Sequence, residues 1–287
     1  MTNVEKLITR AEKLIDKLEA LIPAEAPPPD WKASIAFRWR VKNNRGFIQP
    51  VKHLHHITLD DLQDIDEQKK RIEQNTKQFV QGKPANNVLL TGARGTGKSS
   101  LVKAVLNQFS NKGLRLIEVE KSHLVDLPDI VEMVSGRPEK FILFCDDLSF
   151  DEGESSYKAL KTVLDGSIAA QSDNILIYAT SNRRHLMPEY MAENLDYKHI
   201  DGEIHPGEGT EEKISLSERF GLWLSFYPFT QDEYLDIVRH WAAHFGVKKL
   251  NAEFQAAALL WAIERGSRSG RVAWQFARDW AGQHLNK

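Results

Sequence analysis

Cysteine is almost absent. Cys145 is the only one in 287 residues, which excludes an intramolecular disulfide framework and any multi-cysteine metal cage. Long apolar runs are lacking too: Phe141 to Cys145, for one, stops after five residues, and no run in the chain approaches the roughly 18–20 a membrane-spanning helix needs. Charge of one sign is missing as well. With a net charge of -2 and a pI near 6.6, no global basic field marks a nucleic-acid binder. The opening MTNVEKLITR begins an amphipathic helix and lacks the basic stub and apolar core of a secretory signal, so a cytoplasmic location is expected. No internal repeat is visible.

What is present divides the chain. Residues 1–30 hold an amphipathic helix and a proline-rich linker. Val4, Leu7, Ile8, Ala11, Leu14, Ile15 and Leu18 recur at helical spacing, suited either to docking on the same chain or to a partner or second copy. Pro23 and the Pro27-Pro28-Pro29 run end the helix. Residues 31–56 form a basic and aromatic segment. Lys32, Arg38, Arg40, Lys42, Arg45 and Lys52 alternate there with Trp31, Phe37, Trp39 and Phe47, and no acid occurs before Lys52. Such a segment could stack single-stranded nucleic acid. The favoured reading is a short hairpin with its aromatics in a core.

From residue 57 to 228 apolar strands alternate with helices, beginning with Asn87 to Leu90 and continuing through Leu114 to Val119, Phe141 to Asp146, Asn174 to Ala179 and Leu222 to Phe226. Strands without period-two alternation, separated by helices, predict a parallel sheet covered on both faces. Residues 229–287 read as helix only. The expected fold is an α/β P-loop NTPase with a five-stranded parallel sheet between helices, followed by a small helical lid.

Gly92-Ala93-Arg94-Gly95-Thr96-Gly97-Lys98-Ser99 completes the G-x-x-x-x-G-K-[ST] pattern. Its glycines allow successive N–H groups to point inward as an anion nest, and the helix that follows adds its positive end. Lys98 can reach β- and γ-phosphates, and the Ser99 hydroxyl can ligate Mg²⁺. Gly92, Ala93, Arg94, Gly95, Thr96, Gly97, Lys98, Ser99 and Ser100 are therefore the candidate nucleotide contacts, with ATP and Mg²⁺ as the expected cofactors.

Downstream, an apolar strand ends in Asp146-Asp147. Acids at the carboxyl end of a buried parallel strand lie at the binding edge of such a sheet. Asp146 is the candidate second anchor for Mg²⁺, and Asp147 the candidate to orient or deprotonate an attacking water. NILIYATSN over 174–182 is a further strand ending in Thr180, Ser181 and Asn182. Asn182 is the candidate to hold the γ-phosphate or the water.

In this order these parts resemble the AAA-type P-loop ATPases. They are more similar still to the bacterial group known as domain of unknown function 815, through AFRW at 36–39, PANNVLLTGARGTGKSS at 84–100, FILFCDDLSF at 141–150, YATSNRRHL at 178–186 and SLSERFGLWL at 215–224. The resemblance implies ATP hydrolysis, assembly into a nucleotide-dependent ring or spiral of identical subunits, and an unidentified protein client. It implies that Arg219 is the finger offered to a neighbour's γ-phosphate. It also implies that Arg271, with Arg268 as a competitor, senses phosphate from the lid, and that Ile57, Leu62 and Ile65 pack against adenine. One departure stands out. Asp147 replaces the usual glutamate, which sets the carboxylate back by about 1.5 Å, and catalysis is sensitive to placement on that scale. Slow hydrolysis follows as an expectation, and a nucleotide-gated switch or loader acting on a protein or single-stranded DNA is the alternative function. Between His185 and Ser215 acids dominate, as a solvated loop or as a docking surface for a basic partner.

Overall fold

The structure, a computed structural model, describes residues 28–54, 56–150, 155–165, 173–183, 198–200, 203–205 and 216–284, together with single positions 4, 8, 10 and 12. The rest of the expected N-terminal helix, and the acidic segment apart from a short two-stranded piece (β7 Lys198–Ile200, β8 Glu203–His205), lie outside the described residues.

The main sheet is built from β1 (Ala36–Lys42), β2 (Arg45–Pro50), β3 (Val88–Gly92), β4 (Leu114–Glu118), β5 (Lys140–Cys145), β6 (Ile175–Ser181) and β9 (Leu222–Phe226). Their order across the sheet is β2-β1-β4-β5-β6-β3-β9. All neighbours run parallel except β1 and β2. Seven strands thus replace the five expected. The two additional ones are the basic and aromatic segment, which folds as a hairpin and adds β1 alongside β4.

Local chemistry accounts for that hairpin. Asn43 and Asn44 take φ of 52° and 58°, the left-handed pair that a two-residue turn between twisted strands demands and that asparagine tolerates. Phe37 and Trp39 are fully buried and Trp31 is nearly so. Trp31 packs 4.5 Å from the Phe37 ring and 4.9 Å from that of Phe141, while the Trp39 indole donates to Asp126 at 2.8 Å. On the other face Arg38 pairs with Glu118 and Arg40 with Glu120, each at 2.6 Å. Trp31, Phe37 and Trp39 are therefore core, Phe47 is half-buried opposite Arg40, and the two arginines are paired with acids on or beside β4, so the three buried rings are not offered to bases.

Helices α1 (Asp66–Val80) and α2 (Lys98–Phe109) cover one face of the sheet. On the other lie α3 (Leu127–Val134) and α4 (Ser155–Asp165). The lid is α5 (Gln231–His244), α6 (Ala252–Glu264) and α7 (Gly270–His284). Its α5 begins with a capping box in which Thr230 and Glu233 exchange hydrogen bonds. Tyr234, Val238, Phe254, Phe276 and Ala277 of the lid belong to the same buried cluster as Val88, Leu90 and Leu101 of the body. Lid and body thus share one continuous core. Among the described residues no helix is long and apolar enough to cross a membrane.

Candidate functional site

The sheet order places three strand ends side by side. β6 lies between β5 and β3, so the polar end of β6 separates the acid-tipped strand from the glycine-rich loop. The loop over 93–97 leaves β3 and enters α2 at Lys98. Gly92 has φ of 125°, and a Cβ there would lie 1.9 Å from the Phe226 carbonyl oxygen. Only glycine lets the loop start this close to β9. The Ala93 N–H donates to that same carbonyl at 3.2 Å.

Lys98 is buried, with 6% exposure. Its ammonium donates to the carbonyls of Gly92 at 2.8 Å and Ala93 at 2.7 Å, and to the Asn182 side-chain oxygen at 3.1 Å. Burial pulls its pKa down to about 8; the nearby carboxylates of Asp147 and Asp146 oppose the shift and Arg94 adds to it. The Ser99 hydroxyl donates to Asp146 Oδ1 at 2.6 Å. Thr180 donates to the same oxygen at 2.6 Å and accepts the Asp147 N–H at 2.9 Å. Asp147 has φ of 54°, and its carboxylate accepts a hydrogen bond from the Asn182 amide. Asn182 therefore bridges Lys98 and Asp147.

The end of β6 is thereby resolved. Thr180 and Asn182 face the acids and the lysine, whereas the Ser181 hydroxyl turns away to the Leu148 carbonyl at 2.7 Å. Cys145, fully buried one residue before the acids, has its thiol pushed up to about 12, first by burial and then by Asp146. It is a core residue and not a nucleophile.

These groups open on a cavity of about 640 Å³. Residues 94–100, Asp146, Asp147, Thr180 and Asn182 line one end. Its other walls are apolar at Ile57, Leu62, Ile65, Ile237, Trp241 and Trp274 and polar at Asp61, Gln63, Lys103 and Arg271. The lid closes directly on the loop: the Gly270 N–H donates to the Gly95 carbonyl at 2.9 Å. Buried Ser269 sits against Gly95 and caps Val272 N–H at 3.3 Å. Arg271 lines the cavity, whereas the exposed Arg268 is not among its walls. Arg219 lies elsewhere, paired with Asp165 at the end of α4.

Oxygen donors at Ser99 and Asp146, 2.6 Å apart at the mouth of an anion nest, fit a small hard cation that keeps several waters. Sequence reasoning missed Thr180 as the residue orienting both acids, and it missed the apolar walls that the lid contributes. The helical period of α5 was visible, but which of its faces would meet Ile65 depends on the docking of the lid.

A family model described as a protein of unknown function, DUF815, matches residues 32–284. The 26S proteasome regulatory subunit 4 homolog of Schizosaccharomyces pombe is 31% identical over 153 residues, which is 46% of this chain and 33% of that one. The Holliday junction branch migration motor RuvB of Thermotoga maritima superposes with a TM-score of 0.51 at 18% identity, over 77% of this chain and 63% of that chain. The chain thus spans about a third of the curated relative and somewhat under two thirds of the solved one. Strand order, loop and lid together with these matches lead to one statement: the chain belongs to the DUF815 family, and its fold is that of the AAA-type P-loop proteins.

Proposed function

We propose that the protein is a Mg²⁺-dependent ATPase that couples nucleotide state to subunit assembly or to remodelling of a protein client in the cytoplasm. The observation that carries this reading is the convergence of Lys98, Ser99, Asp146, Asp147 and Asn182 on one cavity that also has apolar walls. A triphosphate needs the first group and a purine the apolar walls.

Each residue has a task in that reading. The amides of 93–99 and the Lys98 ammonium bind β- and γ-phosphate oxygens, the lysine exchanging its carbonyl partners for phosphate. Ser99 and Asp146 would hold Mg²⁺, which when bound screens phosphate charge as the terminal bond breaks. Asp147 orients the attacking water and accepts its proton. Asn182 holds the Asp147 carboxylate and can turn an amide hydrogen toward the γ-phosphate. Thr180 fixes both acids and is a positioning residue. Arg271 adds a cation from the lid, and Arg219 acts in trans on the nucleotide of a neighbouring subunit in a ring or spiral.

A second reading, a slowly hydrolysing switch or loader, is favoured by the short Asp147 side chain and its engagement by Asn182. The burial of Trp31, Phe37 and Trp39 argues for a protein as its partner over single-stranded DNA. Purified wild type, Lys98→Ala and Asp147→Asn test the main proposal. Lys98→Ala should lose ATP binding, Asp147→Asn should bind and turn over poorly, and unchanged turnover in both would refute it. Sizing in ATP, ADP and no nucleotide, repeated with Arg219→Ala, tests assembly. An ATP-specific oligomer whose activity needs Arg219 is expected, and a monomer with full activity would remove the shared site.

A further inference from the structure

One face of the first turns of α2 lines the cavity. Ser99 and Ser100 stand at its loop end, and Lys103 follows one turn later. A further turn on, Asn107 donates its amide to the Ile57 carbonyl at 2.8 Å. Steps of three to four residues keep these side chains on one face and carry Lys103 about 5–6 Å beyond the serines. The Asn107 bond ties that face to Ile57, another wall of the cavity. Lys103 therefore lines the cavity one helical turn beyond the serines.

Lys103 is a half-buried residue, and its ammonium has no hydrogen bond or ion pair among the described residues. Nearby lysines differ: Lys98 is held by two carbonyls and Asn182, and Lys69 by the Leu62 carbonyl and Asp66. A cation partly withdrawn from water without a counter-charge is costly, and a bound anion offsets that cost. Between the β- and γ-phosphates and the base, a nucleotide offers a sugar and an α-phosphate. Of the two only the α-phosphate is charged. We infer that Lys103 is a further ligand-contacting residue that binds the α-phosphate and so helps the site to hold mono-, di- and triphosphates alike. This rests on the nucleotide reading above.

Calorimetry with ATP and ADP, and displacement titrations with AMP and adenosine, on wild type, Lys103→Met, Lys103→Arg and Lys98→Ala test it. Lys103→Met should weaken AMP, ADP and ATP by a common factor of about ten, the scale of one charge-assisted contact, and leave adenosine unchanged. Lys103→Arg should restore most of the loss. Lys98→Ala should weaken ATP and ADP far more than AMP. The inference is overturned if Lys103→Met binds AMP within about twofold of wild type, or if adenosine falls by the same factor as AMP, which would mark a packing role. Wild type that binds ATP beside an unaffected Lys103→Met sinks this inference alone. Wild type that binds no ATP sinks the nucleotide reading and this inference with it. Unliganded melting temperatures show whether each variant folds.

Discussion

Replacing Gly95 by alanine tests the contact between loop and lid. Gly95 has φ of 74°, where an L side chain costs about 1–2 kcal/mol. The added Cβ would lie 2.8 Å from both Cβ and Oγ of Ser269. Ser269 is itself 6% exposed and engaged with the Val272 amide, so it has little room to withdraw. Overpacking of this kind costs about 1–3 kcal/mol. The sum, about 2–5 kcal/mol, exceeds the roughly 1 kcal/mol that the Gly270-to-Gly95 hydrogen bond contributes, so the lid should be displaced from the loop. The melting temperature of Gly95→Ala should fall by about 4–20 °C at roughly 2–4 °C per kcal/mol, and ATP affinity should fall with it. The double variant Gly95→Ala with Ser269→Gly removes the overlap and keeps the φ strain, so about half of the loss should return. A Gly95→Ala protein that melts and binds ATP as wild type does would refute the reasoning, and a double variant no better than the single one would refute its steric half.

Other outcomes follow from the same geometry. Because burial lowers Lys98 to about 8, its ammonium is charged below that pH and lost above it. ATP affinity should therefore fall by up to about tenfold per unit above pH 8, with proton uptake on binding seen by calorimetry in buffers of different ionisation enthalpy; a flat profile to pH 9.5 would contradict it. Stability shifts the other way, since the unfolded chain holds the proton longer: between about 8 and 10.5 the cost of burying the charge is relieved and ligand-free stability should gain from this group. Thr180→Val keeps the side-chain shape but removes the bonds to Asp146 and the Asp147 amide; kcat should drop about 10–100-fold with ATP affinity little changed, and wild-type kcat would dismiss the positioning role. Trp31→Ala should cost about 3–5 kcal/mol in chemical denaturation through loss of its packing on Phe37 and Phe141, and a change under 1 kcal/mol would place the ring outside the core.

Much of this was legible in the residues, for identifiable reasons. Val88 to Leu90 of β3 and Phe141 to Cys145 of β5 are apolar without alternation, so a sheet covered on both sides was the available arrangement, and the loop motif between β3 and α2 is specific enough to survive without context. That Asp146 would come near Ser99 followed from the rule that strand carboxyl ends share one edge. The order across the sheet did not follow, and with it the position of Thr180 between loop and acids stayed hidden, since strand neighbours are set by packing over long separations. The segment was read as a hairpin but not as part of the main sheet, because β4 and its partner acids, Glu118 and Glu120, lie about eighty residues away in sequence. Arg219 is paired with Asp165 away from the cavity, and most of the acidic segment lies outside the described residues.

The hairpin seated beside β4 has a bearing on how the protein behaves in solution. Without it β4 would become the sheet's margin, and its Leu114, Leu116 and Ile117, together with a row of unsatisfied peptide groups, would be open to pairing with another molecule. The chain instead ends its sheet with β2, a short strand that starts at Arg45 and finishes at Pro50, a residue unable to donate to an incoming ladder. Truncations that begin after residue 52 should therefore clump during expression, whatever they retain of the nucleotide pocket.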